Sequence, residues 1–538
     1  YEASSDKGLV VALGSRWDEA WEFPSEGARF AYRHQPASPA VNNSCAPCHA
    51  RRATLAEQWT PGAPLAQSHR LAVLTPPLYF PDGQQRDEVF VWGSFAQSRM
   101  YQKGVTCVDC HEPHTAGLRE KGNALCSHCH AATHFDTPEH HFHKTDSLGA
   151  QCVECHMPAQ NYMVVDARRD HSMRIPRPDL SHALGAPNAC NQCHTDRDSE
   201  WAAASMDQWY GTAWRERANY GKTLHAGTTK GVGAAPELLK LAEDNAVPAL
   251  VRATSATLLQ PYMRRDLLMS ARLLLKDPDP DVRIAALGLI EPADPVNRVL
   301  AVAPLLEDAV LGVRVEAARI LADVPENQLP ENRRGAFRGA LDEYVAGLLD
   351  DADWPTANAN LGNLYARQGQ AELAIGAYER ALALDPEFAA AYGNLADLYR
   401  ALGQEEAVVQ VLNRGLAKVP GSADLHHALG LALVRDGDRT RAVAEFEQAA
   451  RLAPGNGHYA YVHAVALHSI GQIPRALEVL HEADVTNPNT SEILGTLVSM
   501  YREAGDIPSA LIYARRLSAA LPEDPTVRQL LSDLEGAH

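Results

Sequence analysis

The chain has 538 residues with 46% hydrophobic and 22% charged residues and a formal net charge of −18. That length exceeds what one hydrophobic core supports, so several domains are expected. The acid excess excludes a general nucleic-acid binder, whose phosphate contacts demand clustered Lys and Arg. No apolar run approaches the about 18 residues that a membrane-crossing helix needs, so no transmembrane segment is expected.

Tyr1 opens the sequence without a Met, a basic stretch or an apolar stretch, which reads as a chain whose export signal has been removed. Residues 1–210 hold all ten cysteines. They also hold turn-rich text such as "TPPLYFPDG" and "RIPRPDL", with little helical periodicity. Residues 211–235, "GTAWRERANYGKTLHAGTTKGVGAA", gain Gly and Thr, lose apolar spacing and read as a linker. From 236 to 350 the text becomes helical. "VRATSATLL", "VRIAALGLI" and "VRVEAARIL" place Arg252, Arg283 and Arg314 at a constant interval of 31, the mark of HEAT-like helix pairs.

From 351 to 522 the period is strict. Gly369, Gly403, Gly437, Gly471 and Gly505 stand 34 apart, as do Pro386, Pro420, Pro454, Pro488 and Pro522. The pattern of "NLGNLYARQGQAELAIGAYERALALDP" resembles the tetratricopeptide repeat and predicts five units. In each, Gly ends the first helix, and small residues at 374, 442, 476 and 510 admit the second, with Val408 as the departure. Tyr365, Tyr392, Tyr399, Tyr459, Tyr461 and Tyr501 are either groove-lining or core residues. Residues 523–538 are expected to form a capping helix. The fold expected is mainly α: an irregular amino-terminal zone, then an all-α solenoid.

The cysteines form five pairs, Cys45 and Cys48, Cys107 and Cys110, Cys126 and Cys129, Cys152 and Cys155, Cys190 and Cys193. Each pair is followed at once by a histidine: His49, His111, His130, His156 and His194. Zinc would combine two pairs per tetrahedral site, leaving one pair over, and requires no histidine after the second cysteine. A redox dithiol occurs once, at a helix start in a βαβ context, not five times on irregular chain. Covalent haem c requires this arrangement, with two thiols for the two vinyl groups and an imidazole for the iron. Five macrocycles also supply an apolar core to a zone poor in regular structure. The cofactors expected are therefore five haems c.

Sixth ligands must come from the other histidines of this zone. His69, in the long gap between the first two motifs, is one candidate. His114 follows His111 closely, suited to reach a neighbouring haem. His140, His141 and His143 in "PEHHFH" place 140 and 143 on one helical face and 141 on another. His171 stands where Asp166 or Asp170 could orient it. His128, inside its own motif, is expected to be exposed, His34, His134 and His182 are reserves, and Arg168, Arg169 and Arg174 are expected at haem propionates. The repeat-region histidines 426, 427, 458, 463 and 468 are not expected to bind iron.

At "GVTCVDCHEPHTAGLREKGNALCSHCH", "GAQCVECHMPAQNYMVVDARRDHSMRIPRPDL" and "PNACNQCHTDRDSEWAAA" the chain resembles multihaem c-type cytochromes that carry a tetratricopeptide tail. These are similar to the cytochrome c554 and pentahaem nitrite reductase group. The resemblance implies thioether cysteines, proximal histidines and His171 as a distal ligand. It implies further motifs upstream of "NNSCAPCHARRATL", so that this chain would be the carboxy-terminal portion of a longer precursor. The active haem of the nitrite reductases has Lys where the motif His would stand, whereas all five motifs here end in His. The leading expectation is an electron-transfer protein of the periplasm or cell surface, with the solenoid docking other redox proteins or cytochrome subunits. The alternatives are a reductase or oxidase of a small nitrogen or sulfur species at a five-coordinate haem, and a homo-oligomeric subunit of an extracellular cytochrome filament.

Overall fold

The computed structural model describes residues 11, 13, 20–115, 117–162, 165–229, 233–522 and 524–536. The chain is mainly helical and divides into two compact units, Tyr1–Asp350 and Asp351–His538.

In the first unit, turn-rich sequence gives short pieces. Three two-stranded antiparallel ribbons form, Trp21–Glu22 with Tyr32–Arg33, Arg52–Thr54 with His69–Leu71, and Ala159–Tyr162 with Asp166–Arg169. Helices of one to three turns lie between them. A compact apolar core gathers Ala46, Leu65, Leu74, Tyr79, Val89 and Trp92 around Leu250 and Val251 of the helix Ala249–Leu259. The cysteine-bearing zone and the first helical repeats therefore share one core. The Leu74 N–H donates to Thr254 Oγ1 at 3.0 Å, and Gly347 meets the Leu55 carbonyl so closely that a Cβ would lie 2.0 Å from that oxygen.

That shared core corrects the boundary expected at 211–235. Residues Thr212–Glu216 form a 3-10 turn and Gly221–Thr228 a helix, with Trp214 and Leu224 buried. Residues 230–232 of that stretch lie outside the described residues. Gly221 and Gly227 serve close packing, since a Cβ would lie 2.9 Å from Leu184 at the first and 3.1 Å from Leu238 at the second. Low apolar content mimicked a linker because Gly221 and Gly227 stand at contacts that a side chain would fill.

The arginines spaced by 31 residues tie successive helical turns together. Arg252 is paired with Asp277, both buried, Arg283 with Asp308 at 2.9 Å, and Arg314 with Glu343 at 2.7 Å. Each arginine rises from the first turn of one helix; Arg252 and Arg283 meet an acid just before the next such helix and Arg314 meets one in the middle of Arg334–Asp350, so the sequence period becomes a ladder of charge-assisted bonds.

The second unit consists of five antiparallel helix pairs, from Pro355–Arg367 with Ala371–Leu384 through Ser491–Glu503 with Ile507–Ala520. The periodic glycines end the first helix of each pair in the left-handed region, with φ of 72°, 71°, 90°, 79° and 76°. The residue after each donates back across the turn, as Gln370 does to the Tyr365 carbonyl at 2.8 Å. Ala374, Ala442, Ala476 and Ala510 are fully buried, and Val408 takes the same place in the second pair. Gly362 and Gly430 let the paired helices touch, since a Cβ at either would lie 2.5 Å from the ring of Tyr378 or Phe446. The helix Pro525–Gly536 covers the last pair with Val527 and Leu534. Among the described residues no helix is long and apolar enough to cross a membrane.

Candidate functional site

Each cysteine pair sits on a single helical turn. Cys45 and Cys48 end the helix Pro39–His49, and the turns Cys107–Cys110, Cys152–His156 and Cys190–Cys193 are barely longer than the motif itself. The N–H groups of His111, His130 and His194 bond to the carbonyl of the first cysteine of their own motif, each at 2.9 Å. That bond puts both sulfurs on one side of the turn and carries the imidazole past its end.

Two motifs open with the same device. Asn42 and Asn123 each stand three residues before the first cysteine of their motif. Their Oδ1 atoms accept the N–H of Cys107 and of Cys152 at 2.9 Å, capping the turn of the next motif. In the same two pairs the leading thiols meet, Cys45 bonding Cys107 and Cys126 bonding Cys152. Cys129 feels the charge of Cys110, and Cys155 that of Cys190 and Cys193, so cysteines of successive motifs lie near one another. Burial pushes the Cys110 and Cys155 thiols up to about 11, while the hydrogen bond with Cys107 lowers Cys45 to about 7 and that with Cys152 lowers Cys126.

Three motif histidines each face a second imidazole. His111 and His171 have ring centroids 6.4 Å apart, His140 and His156 6.3 Å, and His143 and His194 6.2 Å. The interplanar angles are 22°, 10° and 39° in the same order. A metal–imidazole nitrogen bond of about 2.0 Å, with the centroid about 1.1 Å behind the nitrogen, sets two imidazoles on opposite sides of one metal about 6.2 Å apart. The three separations fit one iron between each pair.

The tautomers fit as well. His156 Nδ1 donates to the Arg174 carbonyl at 2.9 Å, His171 Nδ1 to the Arg169 carbonyl at 2.9 Å, and His143 Nδ1 to the His141 carbonyl at 2.5 Å. A carbonyl only accepts, so Nδ1 carries the proton in each ring and Nε2 keeps the lone pair a metal takes.

The histidines expected as ligands thus separate. His140 and His143 do not share a direction. The helix Pro138–His141 ends at Phe142, whose φ of 54° turns His143 toward His194 while His140 faces His156. Phe142 stacks on Trp209 at 4.8 Å, and the Tyr210 hydroxyl donates to the His140 carbonyl, so the helix Ser199–Tyr210 braces the whole stretch. His141 accepts the His143 N–H at 3.2 Å instead of facing a motif histidine. His114 is out of place as a ligand: its side chain is 85% exposed and paired with Glu112 at 2.9 Å, because the turn after His111 points outward. His69 is buried in its ribbon with Nδ1 2.8 Å from the Ser68 hydroxyl; burial and Arg52 lower its pKa to about 4. His49 and His130 are not set opposite an imidazole in the manner of the other three; the His130 ring instead touches Phe30 at 5.4 Å and Phe135 at 5.6 Å.

The arginines expected at propionates are engaged by the protein. Arg168 pairs with Asp166 and Glu88, Arg169 with Glu154 at 2.6 Å, and Arg174 bonds Gln97 and the Asp82 carbonyl from a half-buried position. Apolar side chains near the motifs are instead left open, Leu148 at 74% and Val165 at 86% exposure. The asparagine caps and the Trp209 brace were missed by sequence reasoning. An Asn three residues before Cys45 and again before Cys126 was the available signal.

Family comparison matches residues 100–135 to the doubled CXXCH motif, and residues 365–432 and 427–491 to tetratricopeptide repeats. A comparison with curated proteins finds no match. Among solved structures, the chain is similar to MamA, at 19% identity over 30% of this chain and 95% of that one, with a TM-score of 0.27. It is similar to YrrB, described as a tetratricopeptide protein with an unusual peptide-binding site, at 18% identity over 34% and 94%, with a TM-score of 0.28. A third is PilF of Pseudomonas aeruginosa, at 18% identity over 42% and 99%, with a TM-score of 0.30. The doubled motif points to covalent haem c, and the repeats point to protein–protein contact.

Proposed function

We propose that this chain is an exported electron-transfer protein that carries five covalent haems c, acts in the periplasm or at the cell surface, and uses its helical repeats to dock a redox partner or a neighbouring cytochrome subunit. The ten motif cysteines form the thioethers and His49, His111, His130, His156 and His194 bind the irons. His171, His140 and His143 are the second axial ligands at the haems of His111, His156 and His194. The observation that carries this reading is the repeated imidazole separation of 6.2 to 6.4 Å, met three times by motif histidines, each opposite a histidine from outside the motifs.

A haem closed by two imidazoles passes electrons without binding substrate. The chain's part is to hold the rings, exclude water and set the spacing. Motif intervals of 19, 26 and 38 residues, with thiols of successive motifs in contact, keep neighbouring haems close. The open apolar side chains at Leu148 and Val165 are then covered by the macrocycles. Residues 236–350 serve as HEAT-like pairs fused to the haem zone, and the kinship proposed is with the cytochrome c554 and pentahaem nitrite reductase group.

A second reading, a reductase of a small nitrogen or sulfur species, is favoured at one place, His130, whose ring is flanked by Phe30 and Phe135. Low-temperature electron paramagnetic resonance of the purified chain separates the two. At least three low-spin ferric haems, two of them with imidazole planes near parallel, support electron transfer. A ligand-responsive high-spin signal at one haem supports the reductase. Absence of all low-spin signals overturns the three assignments of axial pairs.

A further inference from the structure

Two of the carbonyls that orient imidazoles come from one short stretch, Arg169–Arg174, although one ring, His156, closes a motif and the other, His171, faces the histidine of a different motif. The Arg169 carbonyl takes the His171 Nδ1 proton and the Arg174 carbonyl takes that of His156. His171 faces His111, and His156 faces His140. One stretch of chain therefore sets an axial ring at two separate irons.

Asp170 fixes that stretch. It is 2% exposed; its Oδ1 accepts the Ser172 N–H at 2.8 Å, its Oδ2 accepts the Gln85 N–H at 3.3 Å, and its own N–H donates to the Pro158 carbonyl at 3.1 Å. Ser172 Oγ in turn accepts from Arg174 Nε at 2.8 Å, and the Arg174 guanidinium is held by the Asp82 carbonyl at 2.8 Å and Gln97 Oε1 at 3.1 Å. Between them Met173 is kept at φ 45°, a conformation that a residue with a side chain adopts only when its surroundings impose it.

We propose that Asp170 is a positioning residue shared by two haems, setting the imidazole hydrogen bonds at the His111 and His156 irons together and so linking their reduction potentials. The inference rests on the bis-histidine reading above. A hydrogen bond from Nδ1–H to a carbonyl makes the other ring nitrogen a stronger donor and favours the ferric iron. Loosening the turn weakens both bonds, and removing the buried negative charge acts in the same direction, so both potentials rise.

The test is Asp170→Asn in the full haem-loaded chain, followed by potentiometric titration with optical and paramagnetic resonance detection. Two of the five midpoint potentials should move to more positive values and three should stay, with haem content and helical circular dichroism unchanged. Ser172→Ala, which frees only the Arg174 side, should move one potential. No shift, a single shift or a shift of all five in Asp170→Asn overturns the proposal, and so does an unmoved Ser172→Ala if Asp170→Asn fails to fold. A wild-type chain without low-spin bis-histidine signals would instead overturn the reading beneath it.

Discussion

His140 faces His156 with ring centroids 6.3 Å apart and planes 10° from parallel, although 16 positions of chain separate them. His141, its immediate neighbour, is turned to the His143 N–H. Replacing His140 by Ala should therefore convert one low-spin haem to high spin, read by magnetic circular dichroism. His141→Ala should leave every haem low spin.

The asparagine caps predict a stability effect transmitted between motifs. Asn123→Ala removes the acceptor for the Cys152 N–H, and Asn42→Ala that for the Cys107 N–H. Each should cost about 1 kcal/mol, the usual worth of such a cap, read as a lower thermal midpoint of the haem-loaded chain. Haem content should stay the same.

Asp281 predicts a pH dependence. It is half-buried, and burial together with the neighbouring Asp279 raises its pKa to about 7, with Arg70 and Arg283 offsetting part. A carboxyl raised in the folded state favours folding while protonated. Its contribution is full below the unfolded value of about 4 and is lost as pH climbs to about 7. Asp281→Asn should stabilise the chain at pH 8 by on the order of 1 kcal/mol and leave it unchanged at pH 4, by denaturant titration at the two values.

The reverse sign applies at His463 in the second unit. The residue is 4% exposed, its Nε2 has no hydrogen-bond partner, and burial lowers its pKa. Protonation must be resisted by the fold, so stability should fall as pH drops below the ordinary value of about 6.5. His463→Leu should flatten that loss in thermal melts of the full chain between pH 7 and pH 5.

In the repeats, contact distances fix which glycines tolerate change. Gly430→Val would drive side-chain atoms into Phe446 and should cost about 1–3 kcal/mol in chemical denaturation, since a Cβ alone comes to 2.5 Å from that ring. Gly376 has nothing within 4 Å of an added Cβ, so Gly376→Ala should be neutral or stabilising.

Strict periods made the second unit legible. A glycine that must take positive φ recurs at the same place in every unit and an alanine that must admit a helix in four of the five, and the structure sets Gly369 and Ala374 accordingly. The cysteine turns were legible for the same reason, because a three-residue spacing on one helical turn is local. What distance in sequence conceals was not. His140 and His143 share a helical face only if the helix continues, and Phe142 ends it. Gly221 and Gly227 read as slack because the partners that crowd them, Leu184 and Leu238, lie outside that stretch. Arg174 read as a propionate ligand because Gln97 and Asp82 are some 80 positions away.

Intact-mass measurement of the purified, denatured chain tests the central claim most directly, because thioethers survive unfolding and coordination bonds do not. Five haem additions and no alkylatable thiol are predicted. A mass equal to that of the polypeptide, with ten cysteines open to alkylation, would contradict it.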